Sequence, residues 1–184
     1  MKSRTLIVVA LLALLSVVAL AEVTESSAGS FTVKVTLNIA APPDQVYARL
    51  FKVGDWWDSA HTFSGDAHNL TIDPKPMGCY CEKLPNGGGV RHMEVVYVAP
   101  GKSLRMIGGI GPLQAIPVNG VMTIELAAAA GGTKLDMTYS AAGAVPNGLT
   151  SWAQPVDGVL TQQFTRLKNF TEHGSPDAAA PKKP

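Results

Sequence analysis

Residues 150 to 172 carry Trp152, Val156, Val159, Leu160, Phe164, Leu167 and Phe170 at the three- and four-residue steps of one helical stripe, with Gln163 and Thr171 as weaker members. A stripe of that length needs a surface to lie against. Nearly everything upstream of it reads as strand, so the pattern predicts one long helix held by a curved antiparallel sheet, with any ligand between them.

The strand signals run in order. Phe31, Val33, Val35, Leu37 and Ile39 alternate with Thr32, Lys34, Thr36 and Asn38, a half-buried strand. Pro42-Pro43-Asp44 stops it and opens a short helix carrying Val46, Tyr47, Leu50 and Phe51, ended by Gly54 and followed by a second helical turn at Trp56-Trp57. Short strands follow at 70–72, 79–84, 90–98, 103–107, 118–126 and 133–142, with turns at Pro85 to Gly89 and Pro100-Gly101-Lys102 and a flexible loop at Gly108 to Pro112. Sequential antiparallel strands with helices on one face give an α+β fold, here a sheet of six to seven strands. Ser151 and Gln154 match a capping box, which places Pro155 in the first turn of the long helix. Pro155 and Gly158 make the grip looser between Trp152 and Leu160 than between Phe164 and Phe170, so ligand entry is expected beside 152–160, near Gly108 to Pro112.

The domain boundaries come from composition. Lys2 and Arg4, the apolar run Leu6 to Leu20 and the small residues Ala19 and Ala21 form a secretory signal pattern with cleavage after Ala21. The run is short for a membrane span, so no stable membrane anchor is expected after cleavage. Residues 22–30 read as a flexible segment, 31–173 as a single domain, and the Pro/Ala-rich 174–184 as a disordered tail. Without Lys2 and Arg4, 13 basic residues face 14 acidic ones, which leaves no electrostatic footprint for nucleic acid. The expectation is an exported monomer, periplasmic or secreted, with no nucleic-acid partner.

From Phe31 to Glu172 the chain resembles the START-like (SRPBCC) superfamily and its helix-grip fold. It is most similar to the branch of Hsp90-ATPase-activator homology and polyketide cyclase-type domains. The resemblance rests on Ile39 to Tyr47, the Trp56-Trp57 turn, Gly78-Cys79-Tyr80-Cys81-Glu82, the Val96 to Arg105 hairpin and the closing amphipathic helix. It implies a fold more than an activity, because the superfamily includes lipid carriers, hormone binders, cyclases and co-chaperone domains. The leader and the Cys-x-Cys depart from the cytosolic co-chaperone members.

No hydrolase, zinc-protease, P-loop or dinucleotide motif is present, and no cofactor or metal is assigned. For an apolar ligand, the candidate lining is Trp57, His61, Met93, Met122, Met137 and Tyr139, with Val156 and Leu160 from the helix. The catalytic candidates are His61, Glu82 and His92. A hairpin centred near Gly87 sets Glu82 opposite His92 and Tyr80 opposite Glu94, with Cys81 facing Met93 and Cys79 facing Val95 on the other side. The apolar character of Cys81, Met93, Val95 and Tyr97 marks theirs as the inner face, which makes Glu82 and His92 an exposed pair. A one-residue slip reverses that, and a desolvated His–Glu pair would then suit acid–base chemistry. Cys79 and Cys81 are redox candidates. On a regular strand their Cα atoms stand about 6.6–6.8 Å apart, at the limit for a disulfide, so two small core side chains are the preferred reading. Three functions stay open: a carrier of a small apolar ligand, a cyclase- or dehydratase-type enzyme, and a protein-binding module of co-chaperone type.

Overall fold

The computed structural model describes residues 20–177. Most of the expected leader and the end of the tail lie outside them. Eight antiparallel strands form one sheet, in the order β1-β2-β8-β7-β6-β5-β4-β3. The strands are β1 (Leu20–Ser26), β2 (Ser30–Ile39), β3 (Leu70–Ile72), β4 (Cys79–Lys83), β5 (Gly89–Ala99), β6 (Ser103–Ile107), β7 (Val118–Ala129) and β8 (Gly132–Gly143). Two short helices, α1 (Pro43–Leu50) and α2 (Val53–Trp56), follow β2, and α3 (Thr150–His173) closes the fold.

The alternation in β2 sets the frame. Phe31, Val33, Val35, Leu37 and Ile39 are buried. Their register partners on β8, from Ala141 through Tyr139 and Met137 to Leu135, are buried with them. α3 lies across this face, burying Ala153, Leu160, Phe164, Leu167 and Phe170. Its end is sealed by Gly174 at φ 76°, whose N–H bonds the Phe170 carbonyl, a left-handed cap open to glycine.

Three expectations change. Residues 22–26, read as part of a flexible segment, extend the sheet: β1 pairs with β2 from Leu20↔Thr36 to Ser26↔Phe31. No single apolar alternation marks this strand, which is held by its neighbour's backbone. The capping box does not form. The N-cap is Leu149, with no side-chain cap, and Pro155 sits inside the helix, where its missing N–H leaves the Ser151 carbonyl without its helical partner. The Gly108–Pro112 loop is also pinned. The Tyr139 hydroxyl donates to the Gly108 carbonyl (3.2 Å) and accepts from the Ile110 N–H (3.3 Å). Gly120 makes room for that ring, since a Cβ there would stand 2.5 Å from the Tyr139 hydroxyl.

Candidate functional site

Bulging of β5 decides which side chains reach the interior. Tyr80 pairs with Met93 but Cys81 pairs with Arg91, so His92 is an extra residue on β5. The expected register, with Glu82 opposite His92, is therefore corrected: Glu82 pairs with Val90. Because a bulge puts two consecutive side chains on one face, His92 and Met93 are both buried. On β4 the inward residues are Tyr80 and Glu82, while Cys79 and Cys81 are half-buried on the other face. The expectation of an exposed Glu82–His92 pair is overturned, since the two are 1% and 5% exposed. A second bulge, between Val95 and Tyr97, turns Tyr97 outward.

The preferred reading of the cysteines is overturned too. Cys79 and Cys81 form a disulfide. Their Cα atoms are 5.2 Å apart, well inside bridging range, because the chain between them is contracted relative to a regular strand.

A cavity of about 310 Å³ opens between the first half of α3, the 57–63 segment and the 110–112 loop. That is at the low end of the range for small-molecule sites. From α3 it is lined by Trp152, Pro155, Val156, Val159 and Leu160, from the segment after α2 by Trp57 and Ala60 to Phe63, and from the floor by Leu70, Tyr80 and His92. Ile110, Gly111 and Pro112 complete the wall. The stripe of α3 is split by function: Trp152, Val156 and Val159 remain half-buried at the cavity, while Phe164, Leu167 and Phe170 are packed.

Of the expected ligand contacts, Trp57, His61, Val156 and Leu160 line this cavity and Met93, Met122, Met137 and Tyr139 do not. Those four are buried in the core cluster. Met122 borders a gap of about 10 Å³, at the threshold for a single water. The sequence pattern marks these residues as inward but cannot tell a filled interior from an open one. Tyr80, Leu70, Ile110, Trp152 and Val159 were absent from the expected lining; their inward positions on strand, loop or stripe were its available signals.

At the polar end, His92 Nε2 lies 3.0 Å from Glu82 Oε2. The other carboxylate oxygen accepts the Ser64 N–H at 2.5 Å. Burial pushes the Glu82 carboxyl up, but the hydrogen bonds from Ser64, Phe63 and His92 outweigh it and hold the group below its ordinary value. For His92 burial dominates over the pull of Glu82, so the imidazole titrates below its ordinary value. At neutral pH the pair is thus a carboxylate and a neutral imidazole. The only tautomer that serves the carboxylate has the proton on Nε2. Nδ1 is then an acceptor, and it is buried with no partner among the described residues.

An aromatic chain surrounds this dyad. Phe63 stacks on the His92 ring at 5.8 Å, Tyr80 tilts against it at 5.2 Å, and Trp57 meets Tyr80 edge-on at 6.0 Å. Burial, with the Glu82 charge beside it, holds the Tyr80 phenol well above its ordinary value, so it stays protonated. His61 does not join the pair. It lines the cavity, but its Nε2 faces Gln162 Oε1 on α3 at 3.2 Å. The same segment is tied to α3 by the Asp58 N–H to Gln163 Oε1 (2.8 Å) and by Gln162 Nε2 to Asp58 Oδ2 (2.7 Å). Glu82 and two adjacent glutamines therefore fasten the wall formed by residues 58–64.

This architecture recurs among solved structures. A conserved protein of unknown function from Enterococcus faecalis aligns with a TM-score of 0.57 at 18% identity, over 90% of this chain and 82% of that one. A Chromobacterium violaceum protein aligns at 0.54 and 17% identity, over 77% and 96%. DynU16, a protein in the dynemicin biosynthetic locus, aligns at 0.55 and 19% identity, over 80% of this chain and 49% of that one. At these identities the likeness establishes the fold. Among curated protein sequences none matches. Residues 30–172, from the start of β2 almost to the end of α3, match the family described as polyketide cyclase / dehydrase and lipid transport, and the chain belongs to that family.

Proposed function

We propose that this protein is an exported carrier that holds a small hydrophobic or lipid-like molecule between α3 and the sheet. The observation that carries this reading is the cavity of about 310 Å³, walled by Trp57, Leu70, Ile110, Trp152, Val156 and Leu160. Burying such a ligand removes apolar surface of both partners from water, worth about 25 cal/mol per Å² before the costs of association. The family description includes lipid transport. Export is supported by the leader pattern at residues 1–21, and a disulfide suits an oxidising compartment. The carrier acts as a monomer, either periplasmic or secreted.

One observation favours a second reading as a cyclase- or dehydratase-type enzyme: the buried Glu82–His92 pair reaches the cavity through His92, which lines it. A carrier retains binding when His92→Ala is made, whereas an enzyme loses turnover with its fold intact. A protein-binding module would instead use the apolar side chains exposed on the strands, Val96, Tyr97 and Val121. Mass spectrometry of small molecules released from the natively exported protein tests the carrier reading. A stoichiometric apolar compound is expected. Finding none, together with a cavity closed to hydrophobic probes in solution, would overturn it.

A further inference from the structure

The bond pattern around Glu82 fixes the polarity of the cavity's inner end. Ser64 N–H occupies Oε1 and His92 occupies Oε2, so both oxygens act as acceptors. The imidazole must offer Nε2–H to the carboxylate, and its other nitrogen keeps a lone pair. That nitrogen has no partner among the described residues, and His92 is 5% exposed. An unpaired buried acceptor favours whatever brings it a donor. Phe63, stacked on the imidazole, is 52% exposed, and both residues line the cavity. Among the lining residues there is no Lys or Arg to neutralise an anion, and the Glu82 charge stands directly behind the imidazole.

From this arrangement we infer that the cavity selects neutral ligands whose polar end donates a hydrogen bond, the phenol or enol class, and discriminates against carboxylates. His92 Nδ1 is the acceptor that reads this donor, and Glu82 is a positioning residue that sets the tautomer. The inference rests on the carrier reading. A fatty acid or other carboxylate would meet a lone pair backed by a negative charge. An ether of the same shape would leave Nδ1 unpaired.

Three matched probes separate these possibilities: naphthol, methoxynaphthalene and naphthoate, titrated at neutral pH by calorimetry or by quenching of Trp57 and Trp152. Naphthol should bind about tenfold more tightly than the ether, the size of one hydrogen bond to a buried acceptor, and naphthoate should bind most weakly. In His92→Phe the naphthol-to-ether ratio should fall to about one while the ether still binds. Glu82→Gln gives a sharper outcome. Its amide oxygen must still accept the Ser64 N–H, which turns the amide NH₂ toward His92 Nε2 and moves the imidazole proton to Nδ1. The preference for naphthol should then be lost, because the oxygens of both probes accept from Nδ1–H.

Nitrogen-15 NMR of His92 reads the tautomer directly, with Nε2–H expected in the wild type and Nδ1–H in Glu82→Gln. Equal binding of naphthol and ether to the wild type would overturn the inference, as would tightest binding of naphthoate or a wild-type Nδ1–H tautomer. If neither naphthol nor the ether binds, the carrier reading fails and the inference falls with it. If the ether binds without discrimination, the inference alone fails. Should His92→Phe not fold, the wild-type tautomer and the loss of preference in Glu82→Gln decide the matter.

Discussion

Gly158→Ala tests whether the first half of α3 acts as a gate. Gly158 lies inside the helix, is exposed, and has no atom within 4 Å of the place a Cβ would occupy. The substitution therefore changes only backbone freedom, and the gain should be the full helix-propensity difference of about 0.8–1 kcal/mol. For a chain of this size that raises the melting temperature by roughly 2–4 °C. The same free energy enters the local opening of the segment weakened by Pro155, which lacks the N–H for the Ser151 carbonyl. About 1 kcal/mol makes opening roughly fivefold rarer. Amide exchange around 156–161 should slow by that factor, and ligand association should slow with it, while exchange across 164–170 stays tied to global unfolding. Differential scanning calorimetry, hydrogen exchange and stopped-flow binding report the three quantities. Stabilisation without any change in exchange or association would refute the gate. Equal protection of 152–160 and 164–170 in the wild type would do the same.

Other perturbations have defined outcomes. Tyr139→Phe removes both hydrogen bonds from a fully buried hydroxyl, to Gly108 O and from Ile110 N. It should cost about 1–3 kcal/mol in urea unfolding and speed exchange of the Ile110 amide. An unchanged midpoint would show that the loop is held by other contacts. Acid should destabilise in two steps. His92 has a folded value below its ordinary 6.5, so the unfolded state binds more protons and stability falls as pH drops below 6.5. Glu82, also depressed from its ordinary 4.5, contributes stability that is lost as pH falls below that value through its folded one. Urea midpoints from pH 8 to 3 check this, and an increase between pH 6.5 and 5 in the wild type that disappears in His92→Phe would contradict it. Intact mass with and without reductant should differ by two hydrogens for the Cys79–Cys81 bond.

The legible part of this protein is what periodicity encodes. The stripe at 152–170 gives α3, and the alternation at 31–39 gives β2, because each repeats one burial rule over many residues. Glu82 and His92 were readable as a facing pair, but their burial was not. A single extra residue in β5 changes the face of everything beyond it, and nothing in Val90-Arg91-His92-Met93 announces a bulge. Three methionines and Tyr139 look like cavity lining for a related reason: burial is written in the sequence, whereas the space left among buried side chains depends on how all of them pack. β1 escaped notice because its pairing uses backbone groups that every residue carries.

The central claim is that the space between α3 and the 57–63 segment receives an apolar ligand. Titrating isotope-labelled protein with methoxynaphthalene and mapping the shifts onto the chain tests it most directly. The account predicts saturable changes at Leu70, Ile110, Val156, Val159 and Leu160, with the outer strands silent. Shifts confined to Val96, Tyr97 and Val121 on the outward strand positions would contradict it.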